Sequence, residues 1–167
     1  MEVVFLRHGL AEDREKWKSD DRDRPLTAEG FERTKAAVRG LRTLKIRPDA
    51  ILSSPLLRAL ETAEIAMKGL GTDAKVEIAD ELGPVASPDR LIARLGELAN
   101  KPVVLCVGHE PHLSTTASAM IAGKTAASLE MKKAGACCIR FTDPPKAGAG
   151  TLLWLLPPKV LRAIGGG

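Results

Sequence analysis

Short runs of apolar residues alternate along the chain with longer stretches in which apolar residues recur every three or four positions. Short apolar runs are typical of buried strands, and the longer spacing is typical of helices with one apolar face. The alternation predicts an α/β domain in which helices join parallel strands. Strands are predicted at residues 2–6, 50–53, 75–78, 102–107, 136–141 and 150–156.

Helices are predicted between these strands. Thr27 is a candidate N-cap for the first helix. The apolar face of that helix is predicted to consist of Phe31, Val38, Leu41 and Leu44. Ser54 is a candidate N-cap for the second helix, with Pro55 at its first helical position. Further helices are predicted at residues 88–98, 111–122 and 159–164.

The last two strands are separated by a glycine-rich turn around Gly148 and Gly150. Such a turn favours an antiparallel pair at one edge of the sheet. The length of 167 residues suits a single domain, expected over residues 1–164. The three glycines at 165–167 are expected to be a frayed tail.

The composition is that of an ordinary soluble protein, with 44% hydrophobic and 28% charged residues. Aromatic residues make up only 3% of the chain and tyrosine is absent, so little is available for stacking nucleic-acid bases. The net charge of +4 comes from cations that are interleaved with acids rather than gathered in one block. No nucleic-acid partner is expected.

The N-terminal apolar stretch is too short for a signal peptide and follows an acid, Glu2, where basic residues would be required. The other apolar runs are also far below membrane-spanning length. The three cysteines, Cys106, Cys137 and Cys138, form no disulfide framework and are interpreted as core or near-surface thiols. A cytoplasmic protein without a membrane partner is expected.

Three short motifs follow three of the predicted strands. Arg7-His8 ends the first, Ser53 to Arg58 follows the second, and His109 follows the strand that starts near residue 102. In a parallel sheet these ends lie at one edge, where open α/β folds bind ligands and where helix N-termini favour anions. Two histidines and two arginines are therefore expected to form a phosphate site without a metal ion or a glycine-rich phosphate loop.

Arg7-His8-Gly9, the Ser-Ser-Pro-Leu-Leu-Arg-Ala stretch ending at Ala59, and Val107-Gly108-His109 resemble, in order and spacing, the three signatures of the histidine phosphatase superfamily. The small size and Arg24-Pro25-Leu26-Thr27 are most similar to the SixA-type phosphohistidine phosphatases. The resemblance implies a phosphoglycerate mutase-like fold. This is a three-layer α/β/α sandwich whose central sheet is mostly parallel and has an antiparallel edge.

The resemblance also implies roles for the motif residues. His8 is the expected nucleophile, which forms a covalent phosphohistidine that water then hydrolyses. Arg7 and Arg58 are expected to clamp the phosphate with their planar donors. His109 is expected to act as an imidazolium, so the two histidines would hold different protonation states. No cofactor and no metal ion are expected.

Glu81 resembles the glutamate that protonates the leaving group in relatives acting on phosphate esters. An alkoxide needs that proton, whereas imidazole, with a pKa of roughly 6.5, leaves phosphohistidine without much help. Two interpretations of Glu81 are open: a proton donor, or an acid on a solvated loop.

Plainer explanations exist for several residues. Arg58 could pair along its helix with Glu61 or Glu64. Glu61 could hold Arg58 or lie on the surface. His112 is expected to be exposed, and Pro111 disrupts any metal site formed with His109. The charged run from Asp20 to Arg24 is interpreted as a solvated loop rather than a substrate clamp.

Between Glu81 and the next strand there is room for one helix and no lid insertion. Enzymes for small phosphometabolites gain from closing over them, whereas a phosphorylated protein needs an open site. A phosphohistidine on a protein, such as a histidine phosphotransfer domain, is therefore the expected substrate. The alternatives are a phosphatase or mutase-like enzyme of small phosphate esters and, in another class, a non-catalytic phosphate-binding module. The sequence gives no indication of the oligomeric state.

Overall fold

Six strands form one mixed sheet in the computed structural model, which describes residues 1–166. The strands are β1 (Glu2–Arg7), β2 (Ala50–Ser53), β3 (Val76–Ile78), β4 (Val103–Gly108), β5 (Ala136–Arg140) and β6 (Thr151–Leu156). They are arranged in the order β3-β2-β4-β1-β5-β6. The first four are mutually parallel, and β5 and β6 continue the sheet antiparallel. The predicted parallel sheet with an antiparallel edge is confirmed.

Helices cover both faces of this sheet. They are α1 (Ala28–Thr43), α2 (Leu57–Leu70), α3 (Pro88–Glu97), α4 (His112–Ala122) and α5 (Pro158–Ile164). Two short 3₁₀ turns lie at Asp21–Asp23 and Asp80–Leu82. Helices α1, α2 and α5 share one apolar cluster with the sheet, and α3 and α4 share the other. The molecule is therefore the three-layer α/β/α sandwich that the resemblance implied.

The apolar strands are buried on both faces, as expected for parallel strands covered by helices. In β1, Val4 and Leu6 belong to the cluster beneath α1 and α2, whereas Val3 and Phe5 belong to the one beneath α3 and α4. All four side chains are fully buried. This burial holds the end of β1 in place before the first motif.

The start of the first helix was predicted correctly, and so was its apolar face except for Phe31: Val38 and Leu41 lie in the core and Leu44 packs against it. The Thr27 hydroxyl accepts a hydrogen bond from the backbone N–H of Gly30 at 2.9 Å, as an N-cap does. Phe31 is 39% exposed instead of lying in the core. The Lys35 ammonium lies over the Phe31 ring, 4.7 Å from the ring centre, so the exposed aromatic face has a cationic partner.

The predicted start of the second helix is wrong. Helix α2 begins at Leu57, with Leu56 in an extended conformation at the N-cap position, so Ser54 and Pro55 precede the helix. The Ser54 hydroxyl is instead 2.7 Å from the Nε2 atom of His109. Arg58 remains in the first turn of the helix, as predicted.

All three cysteines are buried and unbonded, which confirms their interpretation as core thiols. Burial raises the pKa of each thiol. Within residues 1–166 no helix is long and apolar enough to cross a membrane.

The C-terminal glycines were expected to fray. The backbone N–H of Gly165 donates to the carbonyl of Leu161 at 3.0 Å, which closes the last turn of α5. Gly165 also lies against Gly40 of α1, with no room for a side chain. Gly167 lies outside the described residues.

Candidate active site

His8 lies just beyond β1, at the edge of the sheet where β1, β2 and β4 end. Its backbone N–H donates to the carbonyl of Gly108 at 3.0 Å, and its side chain is buried. The ring Nδ1 atom lies 2.8 Å from the carbonyl oxygen of Gly9. Because a carbonyl oxygen can only accept, Nδ1 carries the proton. The lone pair of Nε2 is therefore free, a detail that the sequence could not provide.

The surroundings of His8 also keep its ring neutral. Burial, followed by the neighbouring His109, Arg58 and Arg7, lowers the pKa of His8 to about 2, although the bond to Gly9 acts in the opposite direction. A neutral ring is the form in which an imidazole is a nucleophile. The lowered pKa thus favours the form of His8 that a nucleophile requires.

His109 follows β4 and faces His8. The two ring centres are 5.0 Å apart with an angle of 53° between the planes, and the Nδ1 atom of His109 is buried without a partner among the described residues. Burial, then the charge of Arg58, lowers the pKa of His109 to about 3. The lowered pKa favours a neutral ring instead of the expected imidazolium, because the negative charge of Asp21 does not offset burial and the arginines, and a protonated ring needs more negative charge beside it. A phosphate dianion would supply that charge.

Arg58 is buried at the start of α2, and its partner was not foreseen. Its Nη1 atom donates to the backbone carbonyl of Asp21 at 2.9 Å, and Nη2 donates to the Asp21 carboxylate at 3.0 Å. The suggested pairing with Glu61 or Glu64 is wrong. The guanidinium turns away from its own helix and toward the 3₁₀ turn that precedes α1.

The charged run from Asp20 to Arg24 is consequently more than a solvated loop. Arg24 donates from Nε to the Asp21 carboxylate at 2.8 Å and from Nη1 to the carbonyl of Glu12 at 2.6 Å. Partial burial of Asp21 acts against ionisation, but the hydrogen bond from Arg24 and the charge of Arg58 lower its pKa overall. The carboxylate form of Asp21 is therefore favoured, and this carboxylate holds Arg58 in position. The alternating charges in the sequence did not reveal this pairing.

Arg7 ends β1 and is half-buried. Its Nη1 atom donates to the backbone carbonyl of Met131 at 2.8 Å, in the segment that leads into β5. Its Nε atom is buried without a partner among the described residues, as is Nε of Arg58. Both arginines also lower the pKa of His8 and of His109, so all four side chains lie close enough to affect one another electrostatically.

Thr62 connects two of the motifs and was missed in the sequence. Its hydroxyl accepts from the backbone N–H of Gly9 at 3.1 Å and donates to the carbonyl of Arg58 at 2.7 Å. A threonine four residues after Arg58 often bonds back to that carbonyl, which was the available signal. Thr62 therefore joins the loop after His8 to the helix that carries Arg58.

Glu61, His112 and Glu81 lie near the motifs in the sequence. The structure shows where each side chain lies, and this differs from at least one of the interpretations considered for it. Glu61 neither holds Arg58 nor stands free, because its carboxylate accepts from the backbone N–H of Leu26 at 2.7 Å. His112 was expected to be exposed but is buried at the start of α4, where burial lowers its pKa. The Glu81 side chain is 25% exposed in the turn after β3 and lies 3.7 Å from Arg90.

The assembled site is rich in cations and in buried nitrogen atoms. The Nε atoms of Arg7 and Arg58 find no acceptor, and Nδ1 of His109 has no hydrogen-bond partner, among residues 1–166. Buried polar groups are normally paired, so this arrangement is suited to an oxyanion that supplies the missing acceptors. In the same residues, no group of three or more histidine, cysteine, aspartate or glutamate side chains is placed to hold a metal ion.

Comparison with known proteins agrees with this geometry. Residues 3–84 match the model of the histidine phosphatase superfamily (branch 1). An uncharacterised protein from Picosynechococcus sp. is 41% identical over 168 residues, covering 94% of this chain and 100% of that protein. The phosphohistidine phosphatase SixA of Escherichia coli K12 is 28% identical over 98% of this chain and 100% of its own length.

A solved structure shares the fold closely. The protein histidine phosphatase SixA in complex with tungstate superposes with a TM-score of 0.84, at 27% identity over 96% of this chain and 99% of that one. Sequence motifs, sheet order and structural similarity all point in the same direction. The chain belongs to the histidine phosphatase superfamily and is of the SixA type.

Proposed function

We propose that this phosphatase hydrolyses phosphohistidine on a protein through a covalent intermediate on His8. The observation that carries the proposal is the hydrogen bond of 2.8 Å between Nδ1 of His8 and the carbonyl of Gly9. It leaves Nε2 unprotonated, beside two arginines and a second histidine. A histidine nucleophile needs this combination of a free lone pair and positive charge around the phosphate.

The reaction has two steps. Nε2 of His8 attacks phosphorus, and a P–N bond forms to His8. The P–N bond to the substrate ring breaks with its electrons remaining on that nitrogen, while the other nitrogen of the substrate ring carries a proton, so that neutral imidazole leaves. Water then attacks the phosphorus of phospho-His8, which releases inorganic phosphate and returns the lone pair to Nε2. Arg7 and Arg58 neutralise the oxygens in both steps.

His109 has a separate role in this scheme. Its pKa is lowered to about 3, which favours a neutral ring. The negative charge of a bound phosphate favours the protonated ring, which then donates a hydrogen bond to a phosphate oxygen. The two histidines reach different protonation states only when phosphate is present.

The proposed substrate is a protein because of how the rim of the site is built. Residues 83–87 alone join the turn after β3 to α3, so this connection supplies no lid. Val85 in that connection is 97% exposed. A short connection without a lid is compatible with a macromolecular substrate, such as a histidine phosphotransfer domain in a cytoplasmic signalling pathway. The similarity to SixA of E. coli supports the same substrate.

The test uses purified protein with a phosphohistidine peptide and with p-nitrophenyl phosphate, both in the presence of a chelator. We expect release of phosphate from the peptide. A quenched reaction with labelled substrate should leave an acid-labile label on the parent protein and none on His8→Ala. A protein that hydrolyses the ester but leaves phosphohistidine untouched contradicts the proposal.

A phosphatase of small phosphate esters is the second candidate, and Glu81 is the residue that favours it. Glu81 follows β3 at the same edge of the sheet, and its resemblance to the proton-donating glutamate of relatives that act on phosphate esters supports this candidate. If esters are the substrates, Glu81→Gln should lower ester hydrolysis by at least about 100-fold, the usual range for loss of a general acid. Asp80→Asn in the same turn is the matched control. Under our proposal, phosphohistidine hydrolysis is nearly unchanged in both variants.

A non-catalytic phosphate-binding module is the remaining alternative. Such a module would bind phosphoproteins equally well with or without the His8 ring. His8→Ala that retains binding, while the parent shows no turnover on any phosphohistidine peptide or ester, would establish this alternative.

A further inference from the structure

A second feature with strong positive charge adjoins the phosphate pocket. It is a groove of about 600 Å³ between the segment that leads into β5, helix α1 and helix α5. The cationic side chains that line this basic groove are Arg7, Arg33, Lys132, Lys133, Lys159 and Arg162. The acid in its lining is Glu130. The groove therefore carries a large excess of positive charge over a small area.

Most of this charge is not neutralised within the molecule. Lys132, Lys133, Lys159 and Arg162 form no ion pair with any of residues 1–166, and Arg33 pairs with Glu29 on an exposed surface. Partial burial, followed by the charges of Arg7, Arg24 and Arg58, lowers the pKa of Lys133. Cations that repel one another in this way are stabilised strongly when an anionic ligand binds between them.

Arg7 belongs both to the basic groove and to the phosphate pocket. The groove is therefore next to the place where we propose that the phosphate binds, with Arg7 shared between the two. The remaining walls are apolar and come from Leu10, Ala134, Pro157, Pro158 and Val160. Such walls fit the aliphatic stems of side chains, while the lysines and arginines reach their carboxylates.

The groove suits an acidic polypeptide better than a nucleic acid. No aromatic side chain lines it, so bases have nothing to stack on. The charges lie on flexible lysines and arginines around a short groove, which matches a few carboxylates near one phosphorylated residue.

We propose that the basic groove binds acidic residues that neighbour the phosphohistidine of the substrate protein. The proposal rests on the proposed function, because it names the kind of protein surface that presents the phosphate. It assigns to Lys159 and Arg162 a part in substrate selection without contact with the reacting atoms.

The test measures binding and turnover separately, with the whole protein. Two fluorescent unphosphorylated peptides carry a central histidine flanked either by Asp and Glu or by Asn and Gln. Their binding is followed by fluorescence anisotropy at about 50 mM salt, where screening is weak. We expect the parent to bind the acidic peptide at least tenfold more tightly than the neutral one, roughly the effect of two or three exposed ion pairs.

Charge reversal locates the site. Lys159→Glu/Arg162→Glu should weaken binding of the acidic peptide by about tenfold, since reversal removes two exposed ion pairs and adds repulsion between the new carboxylates and those of the peptide. Arg42→Glu/Lys68→Glu is the matched control, because these exposed cations lie between α1 and α2, outside the groove. Equal binding of the two peptides, or an equal loss in the control variant, overturns the proposal. So does a single-stranded oligonucleotide of the same charge that binds more tightly than the acidic peptide through Lys159 and Arg162.

Turnover of the same peptides phosphorylated on histidine separates this proposal from the proposed function. A preference in kcat/KM for the acidic phosphopeptide, lost in Lys159→Glu/Arg162→Glu while turnover of free phosphohistidine is unchanged, supports both. Hydrolysis of both phosphopeptides at equal rates overturns the proposal for the basic groove but leaves the proposed function standing. Tight binding of the acidic peptide without hydrolysis of either phosphopeptide supports the groove and overturns the proposed function.

Discussion

The carboxylate of Asp21 accepts a hydrogen bond from the Arg58 guanidinium at 3.0 Å, and the Asp21 backbone carbonyl accepts a second one at 2.9 Å. The two residues are 37 positions apart and come from a 3₁₀ turn and a helix. Asp21 therefore sets the direction of a proposed phosphate ligand without belonging to any of the three motifs.

Asp21→Ala is expected to lower kcat/KM by about tenfold, because hydrogen bonds to charged groups contribute about 1.5–3 kcal/mol and this carboxylate is partly exposed, which favours the lower end. Steady-state kinetics and the inhibition constant of inorganic phosphate measure the effect, and both should show weaker phosphate binding. Asp21→Glu should restore part of the loss. Asp23→Ala in the same turn is the control. Faster turnover in Asp21→Ala would mean that Asp21 competes with phosphate instead of positioning Arg58.

Thr62→Val is expected to destabilise the protein by about 1–3 kcal/mol, because it leaves the buried N–H of Gly9 without its acceptor. Turnover should fall as well, since the loop after His8 loses its connection to α2. Thr116→Val is the matched control: Thr116 is fully buried, but its hydroxyl has no partner among the described residues. Urea unfolding of both variants tests this, and equal stabilities would contradict the role given to Thr62.

His8→Asn is expected to make stability less dependent on pH. The pKa of His8 is about 2 in the folded chain and about 6.5 when unfolded, so between these values only the unfolded chain binds the proton. The neutral ring thus contributes stability above about pH 6.5 that is lost as the pH falls toward about 2.

An asparagine does not titrate, and its amide can still donate to the carbonyl of Gly9. Between about pH 6 and pH 4.5, the free energy of unfolding of His8→Asn should fall less steeply than that of the parent, by up to about 1.4 kcal/mol per pH unit. Chemical denaturation at a series of pH values measures both slopes. Parallel profiles would show that the pKa of His8 is not depressed.

Gly30→Ala is expected to destabilise the protein and disturb the site. A Cβ atom at Gly30 would lie 1.9 Å from the carbonyl oxygen of Leu10, so α1 or the loop after His8 must move. Gly96→Ala is the contrasting control, because a Cβ there meets nothing within 4 Å and should stabilise α3 by up to about 1 kcal/mol. Thermal unfolding and turnover of both variants test the difference. A Gly30→Ala protein with parental stability would contradict this close approach.

The sequence by itself predicted a mostly parallel α/β domain, and the resemblance of its motifs added the three-layer architecture and the roles of the four residues of the proposed site. The six strands appear within a residue or so of their predicted ends, because apolar runs bounded by polar residues are a local signal. Parallel strands end at one edge of a sheet, so the sequence was sufficient to predict that Arg7, His8, Arg58 and His109 lie close together. Those inferences required only the order of elements along the chain.

Only the tertiary structure decided how these residues are held and charged. The partners of Arg58 and His109, the tautomer of His8 and the burial of His112 all depend on contacts between segments distant in sequence. The same is true of both lowered histidine pKa values, since desolvation depends on what packs around a ring rather than on its neighbours in the chain. The basic groove likewise collects cations from α1, the segment before β5 and α5, which are interleaved with acids in the sequence and lie together only in the folded molecule.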